Sequence, residues 1–262
     1  MGKVVRRSDY GTGAYRRRIL LIAGQGEVSG ELEDDFHHFR AVLEHDGQRV
    51  KRARGEALRV PWTTCPGAVR PIARLEGLPL ARSLRAGAAH TPPAAQCTHL
   101  FDAALLAVSF ASRGQPGRRC WDATVPDRKQ GATSATLELD GQRVLQWDLQ
   151  RWRITGPEPF AGRKLIGGFG RWAEESLEPD LAEAAQVLQR AVYIATGRRN
   201  DFEQMERAVD HVDTMGAACH TFGPEQVEQA LRVKGSVRDY SLQPDALLRV
   251  QPMPIDPGPE AM

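Results

Sequence analysis

Alternation of apolar and polar residues indicates β-strands in two parts of the chain. In the first part, the apolar run at residues 19–23 predicts a strand, and the segment HHFRAVLEHDGQRVKRARGE predicts a hairpin that turns at Asp46-Gly47. In the second part, SATLELDGQRVLQWDLQRWRI predicts a hairpin that turns at Asp140-Gly141. The period of two places His37 on the mainly apolar face of the first hairpin and His38 on the mainly polar face.

Helices are predicted between and after these hairpins. CPGAVRPIARLEG predicts a helix of about three turns with Cys65 at the N-cap and a kink at Pro71. CTHLFDAALLAVSFASRG predicts a helix over residues 98–112. PDLAEAAQVLQRAVYIATGRR predicts a long helix with Pro179 near its start, and DFEQMERAVDHVD predicts a further one.

The order of these elements predicts an α+β fold, with antiparallel hairpins and helices packed on one side, because it lacks the strand–helix alternation of a doubly wound sheet. Residues 17–113 are expected to form one α+β domain. Residues 114–240, which begin with a loop over 114–132, add the second hairpin and a helical part that packs on that domain. Residues 1–16 and 251–262 are expected to be flexible.

Composition and charge exclude several classes of function. The chain has 262 residues, of which 41% are hydrophobic, and a net charge of +2 without a clustered basic stripe, so a nucleic-acid partner is not expected. No apolar run approaches the roughly 20 residues of a membrane span. The start MGKVVRRSDYGTG lacks the apolar segment of a secretion signal, so a cytoplasmic protein without a membrane partner is expected. Homo-oligomer formation is left open.

Two of the four cysteines are the main candidates for chemistry. Cys65 and Cys97 each lie at or next to a predicted helix start, where unpaired amides and the helix dipole favour the thiolate, which is both nucleophile and metal ligand. His37 lies at the start of the first hairpin strand, and Asp34 and Asp35 lie near it. Such a set of Cys, Cys and His or Asp suits zinc or iron. The alternative is that the cysteines are small buried hydrophobic residues and the histidines bind backbone carbonyls.

A second group could act on a substrate beside that metal. His99 is the candidate acid/base, and Asp102, three residues later on the same helix face, could orient its ring. Arg59, Trp62 and Trp121 are the candidate substrate-binding residues. For any single arginine of the set 17, 18, 59, 198 and 199, surface charge is nevertheless favoured over an anion clamp. Cys219 and His220 are weaker candidates, Cys120 is expected to be structural, and His211 to be exposed.

Several motifs resemble the bacterial domain-of-unknown-function family 2889. They are GELEDDFHHF, TCPGA followed by LEGLPL, CTHLFDAAL, and MGAACHTF with GSVRDYS, and they cover the chain from about residue 17 to 240. This resemblance implies no particular activity.

Residues 31–112 are also similar to the NifU/IscU-type iron–sulfur scaffold domain. That resemblance implies that Cys65 and Cys97 match the middle and last cysteine ligands of the scaffold. The first ligand segment would fall near Asp34, Asp35 and His37, where this chain has no cysteine. In addition, a histidine follows Cys97 where the scaffolds usually have one before it. These departures favour a mononuclear site over cluster assembly.

Three functional hypotheses follow from the sequence. The favoured one is a metal-dependent lyase or hydrolase in which zinc or iron is bound by Cys65, Cys97 and His37 or Asp35. It would act on a small carbonyl or carboxylate compound, with aromatic catabolites suggested by the tryptophans and arginines. The second hypothesis is a metal or iron–sulfur carrier, and the third is a metal-free enzyme with Cys65 as nucleophile.

Overall fold

One antiparallel sheet forms the centre of the fold. The computed structural model describes residues 5–215 and 219–249. The strands are β1 (Ala14–Ala23), β2 (Glu27–Asp34), β3 (His38–His45), β4 (Val50–Arg59), β5 (Gly117–Pro126), β6 (Ala132–Leu139), β7 (Gln142–Gln150) and β8 (Arg153–Gly156). They pair in the order β4-β3-β2-β1-β5-β6-β7-β8. Because β1 pairs with both β2 and β5, residues on both sides of the predicted boundary at 113/114 contribute to the same sheet.

The helices lie on one side of this sheet, which confirms the α+β class. They are α1 (Arg85–His90), α2 (Thr98–Ala111), α3 (Phe169–Ser176), α4 (Pro179–Ala195) and α5 (Val212–Met215). Helix α2 packs against β1, β2 and β3, whereas α4 packs against β1, β5, β6 and β7. Among residues 5–215 and 219–249, no helix has both the length and the apolar character that a membrane crossing requires.

The core lies between the sheet and the helices, and β1 shows how the sequence produces it. Alternate β1 residues from Tyr15 to Leu21 are almost completely buried, as expected when one face of a strand is covered. Gly30, which pairs with Leu21, allows α2 to come close: a Cβ at this position would lie 2.4 Å from the carbonyl oxygen of Ala103. The residues of β1 and β2 that share this face, Arg17 and Asp34 among them, therefore point toward the helices.

The strands and long helices predicted from the pattern are present, with one exception among the strands. Residues 114–132 were expected to form a loop, but β5 occupies most of this segment and lies between β1 and β6. Pro126 and the glycines near the ends of β5 are typical of loops. However, Trp121, Ala123 and Val125 alternate on the buried face, and the pairing with β1 and β6 stabilises the strand.

The shorter helices differ from the prediction. The helix expected over CPGAVRPIARLEG consists of two 3₁₀ helices, Cys65–Val69 and Pro71–Leu75, because Pro71 cannot donate the backbone hydrogen bond that a continuous helix needs. Cys65 is thus the first residue of a 3₁₀ helix and not an N-cap. The helix expected over DFEQMERAVDHVD is divided into three pieces, Phe202–Gln204, Ala208–His211 and α5.

The two Asp-Gly turns also differ from each other. Asp140 and Gly141 both have positive φ and join β6 to β7 directly, as in a type I′ turn. In the first hairpin only Gly47 has positive φ, and the Asp46 carboxylate accepts hydrogen bonds from the backbone amides of Gln48 and Arg49 in a longer loop.

The N-terminal segment 1–16, which was expected to be flexible, contacts the rest of the fold where the structure describes it. Asp127 accepts hydrogen bonds from the amides of Gly11 and Gly13, and β1 begins at Ala14. The segment 251–262, which was also expected to be flexible, and residues 216–218 of the MGAACHTF motif lie outside the described residues.

Candidate metal centre

The end of β2 forms a turn around the side chain of Asp34. This carboxylate is completely buried, and its Oδ1 accepts hydrogen bonds from the backbone amides of Phe36 and His37, each at 2.8 Å. Its Oδ2 accepts a hydrogen bond of 2.7 Å from the Tyr15 hydroxyl of the adjacent strand. A short polar side chain that binds amides two and three residues later stabilises this type of turn, so the local sequence DDFH positions its own carboxylate.

Two histidines meet at this carboxylate. The Nδ1 of His37 lies 3.2 Å from Asp34 Oδ1, and the Nε2 of His99, from the first turn of α2, lies 3.4 Å from Asp34 Oδ2. The two imidazole rings stack with centroids 3.5 Å apart and an angle of 22° between their planes. One ligand atom from each of the three residues lies within 4.8 Å of the others, so this group could hold a metal ion.

The electrostatics of the three side chains suit a cation. Although burial alone would raise it, the pKa of Asp34 is held well below its usual value by His37, His99 and Arg17, so the carboxylate is ionised. Burial lowers the pKa of His37, and burial together with His37 lowers that of His99 much further. For both rings burial therefore favours the neutral form, which is the form that binds metals.

An unpartnered nitrogen supports the fit of a metal to this group. Among the described residues, the Nε2 of His99 is buried and has no hydrogen-bond partner of acceptable geometry, even though Asp34 Oδ2 is nearby. A buried imidazole nitrogen without a partner is costly, and a metal bound to its lone pair would satisfy it.

Arg59 holds the turn from the neighbouring strand. Its guanidinium donates hydrogen bonds to the backbone carbonyl oxygens of Asp34, Asp35 and His37, and it also pairs with Glu33. From the sequence, Arg59 was a candidate substrate-binding residue. Because its guanidinium donates to these carbonyls and to Glu33, the structure supports a positioning role.

The predicted ligands Cys65 and Cys97 lie elsewhere. Both thiols are buried, and they are close enough to interact electrostatically with each other and with Cys219. Within residues 5–215 and 219–249, however, no cysteine belongs to a group of three potential ligands whose ligand atoms all lie within 4.8 Å of one another. The Sγ of Cys65 lies 3.2 Å from the Oγ1 of Thr221 instead.

The thiols also differ from the prediction in their ionisation. Burial raises the pKa of Cys65 to about 11 and raises that of Cys97 well above its usual value. The expected stabilisation of a thiolate by a helix N-terminus is therefore outweighed by the loss of hydration.

Asp35 belongs to a separate network. Its carboxylate pairs with Arg198, a buried arginine that also pairs with Asp127 and Asp239. It lies next to Asp34 in sequence, but the alternation of the chain at the end of β2 directs the two carboxylates to different partners. Asp35 is thus absent from the ligand group that contains His37.

Asp102 does not orient His99 as expected. Its Oδ2 lies 3.0 Å from Nη2 of Arg17 and 3.1 Å from Nε of Arg190, so it bridges two arginines. Arg17 itself is 1% exposed, which is contrary to the surface role favoured for a single arginine.

The two proposed substrate-binding tryptophans are packed in the core. Trp62 is buried, lies edge-on to Phe222 and is covered by Arg232. Trp121 is buried in β5 beneath Arg119. His211, expected to be exposed, is buried.

All three members of the observed group were named from the sequence, but only His37 was placed among the metal ligands. His99 was interpreted as an acid/base, and Asp34 was only one of several nearby acids. The spacing of Asp34 and His37, three residues apart at a strand end, is the signal that could have joined them. The contribution of Tyr15 had no local signal, since it comes from the neighbouring strand.

Comparison with known proteins adds no functional assignment. No protein-family model matches this chain, and no curated protein matches it either.

Proposed function

We propose that this protein is a metal-dependent enzyme with one zinc or ferrous ion bound by Asp34, His37 and His99. The observation that carries the proposal is the approach of three potential ligand atoms to within 4.8 Å of one another, on side chains of which Asp34 and His99 are buried, with an unpartnered imidazole nitrogen on His99. Two histidines and one carboxylate bind zinc in hydrolytic enzymes and ferrous iron in non-haem enzymes, and in both cases coordination positions remain for water and substrate.

The residues around the ligands favour a catalytic role over a metal-storage role. Tyr15 and the two backbone amides hold the Asp34 carboxylate, while Arg59 holds the backbone of the turn. Such a fixed outer shell keeps ligands in place during a reaction. A metal bound here would supply Lewis acidity toward a carbonyl oxygen or lower the pKa of a bound water.

The substrate class follows from the same chemistry. A small carbonyl or carboxylate compound, processed by a lyase or hydrolase reaction, fits a Lewis-acid centre beside buried arginines. We retain the cytoplasmic location and the relationship to the domain-of-unknown-function family 2889 as parts of this proposal.

The other two sequence hypotheses receive less support. A carrier would need ligands accessible to a partner protein, yet Asp34 and His99 are buried. A cysteine nucleophile would need a lowered pKa, whereas burial raises that of Cys65 to about 11.

A metal-free acid/base enzyme is the second candidate, because the Asp34 carboxylate already accepts three backbone and side-chain hydrogen bonds besides its approach to His99. In that case His37, the most exposed member of the group, would transfer the proton, and Asp34 would orient its ring as a carboxylate does for a catalytic histidine.

Elemental analysis of the purified protein distinguishes these functions. We expect about one zinc or iron per chain in the wild type, and less than about a tenth of that in His37→Gln and His99→Gln. His38→Gln is the matched control, because His38 is the next residue but binds Glu31 on the opposite face. Cys65→Ser and Cys97→Ser should also retain the metal.

Two results would contradict the metal centre. Loss of metal in the cysteine variants but not in the histidine variants would restore the thiolate ligand set. Absence of metal from the wild type, even after incubation with zinc or ferrous iron, would favour the acid/base candidate.

A further inference from the structure

A cavity of about 180 Å³ lies between β1 and the helices α1, α2 and α4. The apolar part of its lining includes Ile19 from β1, Phe101 and Leu105 from α2, and Val187 from α4, and the rest of the lining is charged or polar. None of the three metal-centre residues lines it. For comparison, an engineered apolar cavity of about 150 Å³ binds benzene, so this one has room for a compact ring or a branched chain of similar size.

Two arginines meet at the wall of the cavity. Arg17 and Arg190 both line it, and Asp102, which also lines it, bridges the two. Arg17 also interacts electrostatically with the Asp34 carboxylate, so the two carboxylates together balance the charges of the two arginines. Arg85, a fourth charged residue of the lining, adds a further cation that lies 3.9 Å from Glu175.

Arg17 has unused donors. Only its Nη2 has a hydrogen-bond partner among the described residues, namely Asp102, whereas Nε and Nη1 are buried without one. A buried guanidinium normally uses its donors, since a buried charged donor without a partner is costly. The core therefore holds an arginine whose hydrogen bonding is incomplete beside a space of molecular size.

We propose that this cavity binds a small monocarboxylate, with its carboxylate at Arg17 and a compact apolar body of about the size of a benzene ring in the cavity. A carboxylate would accept hydrogen bonds from the Arg17 donors that lack a partner, and the apolar part of the lining matches the body. A dicarboxylate or a phosphate would bring a second negative charge close to Asp102.

This binding site does not require the metal. Arg17 is the Cα partner of Asp34 in the β1–β2 pair, so a bound carboxylate would lie one strand away from the centre proposed above. The ligand could therefore be the substrate of that centre. Binding itself is nevertheless expected in metal-free protein, so the two proposals can fail separately.

Thermal unfolding and calorimetric titration of the wild type in EDTA test the proposal, with benzoate as the probe. Benzoate should raise Tm with increasing concentration, because a ligand that binds only the folded state stabilises it. Benzamide has the same shape without the charge, and 2-naphthoate has the charge with a larger body. Both should bind at least about tenfold more weakly than benzoate if charge and size decide.

Two variants locate the site. Arg17→Met should reduce benzoate affinity at least about tenfold. Arg18→Met is the matched control, because Arg18 is the adjacent residue, faces the other side of the sheet and pairs with Asp122; it should bind benzoate as the wild type does. Val187→Phe fills the cavity without changing its charge and should also abolish benzoate binding. This variant provides the test if Arg17→Met does not fold.

The proposal is overturned if benzoate does not bind the wild type, or if benzamide binds as well as benzoate. It is also overturned if both Arg17→Met and Val187→Phe fold and retain binding. Binding that persists in His99→Gln leaves it intact, whatever the metal analysis shows.

Discussion

The contact between α2 and the sheet at Gly30 predicts a large effect from a single methyl group. In Gly30→Ala the added Cβ would lie 2.4 Å from the carbonyl oxygen and 3.0 Å from the carbonyl carbon of Ala103. These are backbone atoms in the middle of a helix, so rotation of a side chain cannot relieve the contact. Helix α2 must therefore move away from β2.

The magnitude follows from two opposing effects. Overpacking of a core costs about 1–3 kcal/mol, and a clash with rigid backbone belongs at the upper end, about 3 kcal/mol. Replacement of glycine by alanine returns about 0.5–1 kcal/mol, because it restricts the unfolded chain. The free energy of unfolding should thus fall by about 2 kcal/mol, which corresponds to a decrease in Tm of roughly 4–8 °C for a chain of this size.

Urea unfolding followed by circular dichroism measures this change, and Gly117→Ala is the matched control. Gly117 begins β5, has no positive φ, and its added Cβ would meet only the Phe110 ring, at 3.6 Å, an ordinary contact. The control should stay within about 0.5 kcal/mol of the wild type. If Gly30→Ala were as stable as Gly117→Ala, the close packing of α2 on β2, and with it the position of His99, would be refuted.

Three further predictions concern the site and the thiols. In EDTA, the free energy of unfolding should decrease as pH falls below about 6.5, because burial lowers the pKa of His37 and His99 in the folded chain and the unfolded chain therefore takes up protons first. For His99, whose pKa is lowered well below its usual value, the slope should approach about 1.4 kcal/mol per pH unit. An unchanged slope in His99→Gln would contradict this explanation. Arg59→Gln should weaken metal binding about 10–100-fold in a competition assay with a chelator, because Arg59 holds the turn that carries the ligands. Arg54→Gln is the control and should not weaken binding, since Arg54 is an exposed residue of the same strand. Equal effects of the two substitutions would show that Arg59 does not hold the turn. Ellman's reagent at pH 8 should label Cys65 only as the chain unfolds, since burial raises the pKa of its thiol to about 11 in the folded protein. Rapid labelling of Cys65 in the native protein would rule out this burial.

The local elements were largely predictable from the sequence. The alternation in β6 and β7, the Asp140-Gly141 turn and the apolar repeat of α2 are decided by neighbouring residues, and the structure confirms them. The prediction failed where partners far along the chain decide the outcome. Residues 117–126 have loop-like flanks and form a strand only because β1 and β6 offer pairing on both sides.

The candidate site shows the same division. The sequence by itself determined the chemistry that the chain carries, including the Asp34–His37 spacing that lets a carboxylate bind its own turn. Only the tertiary structure decided which groups meet: α2 crosses β2 at Gly30 and brings His99, not Cys97, to Asp34. The physical reason is that a side chain's hydration depends on what packs over it. Burial by distant segments raised the pKa of the cysteine thiols and lowered that of the histidines, which leaves the imidazoles as the ligands ready for a metal.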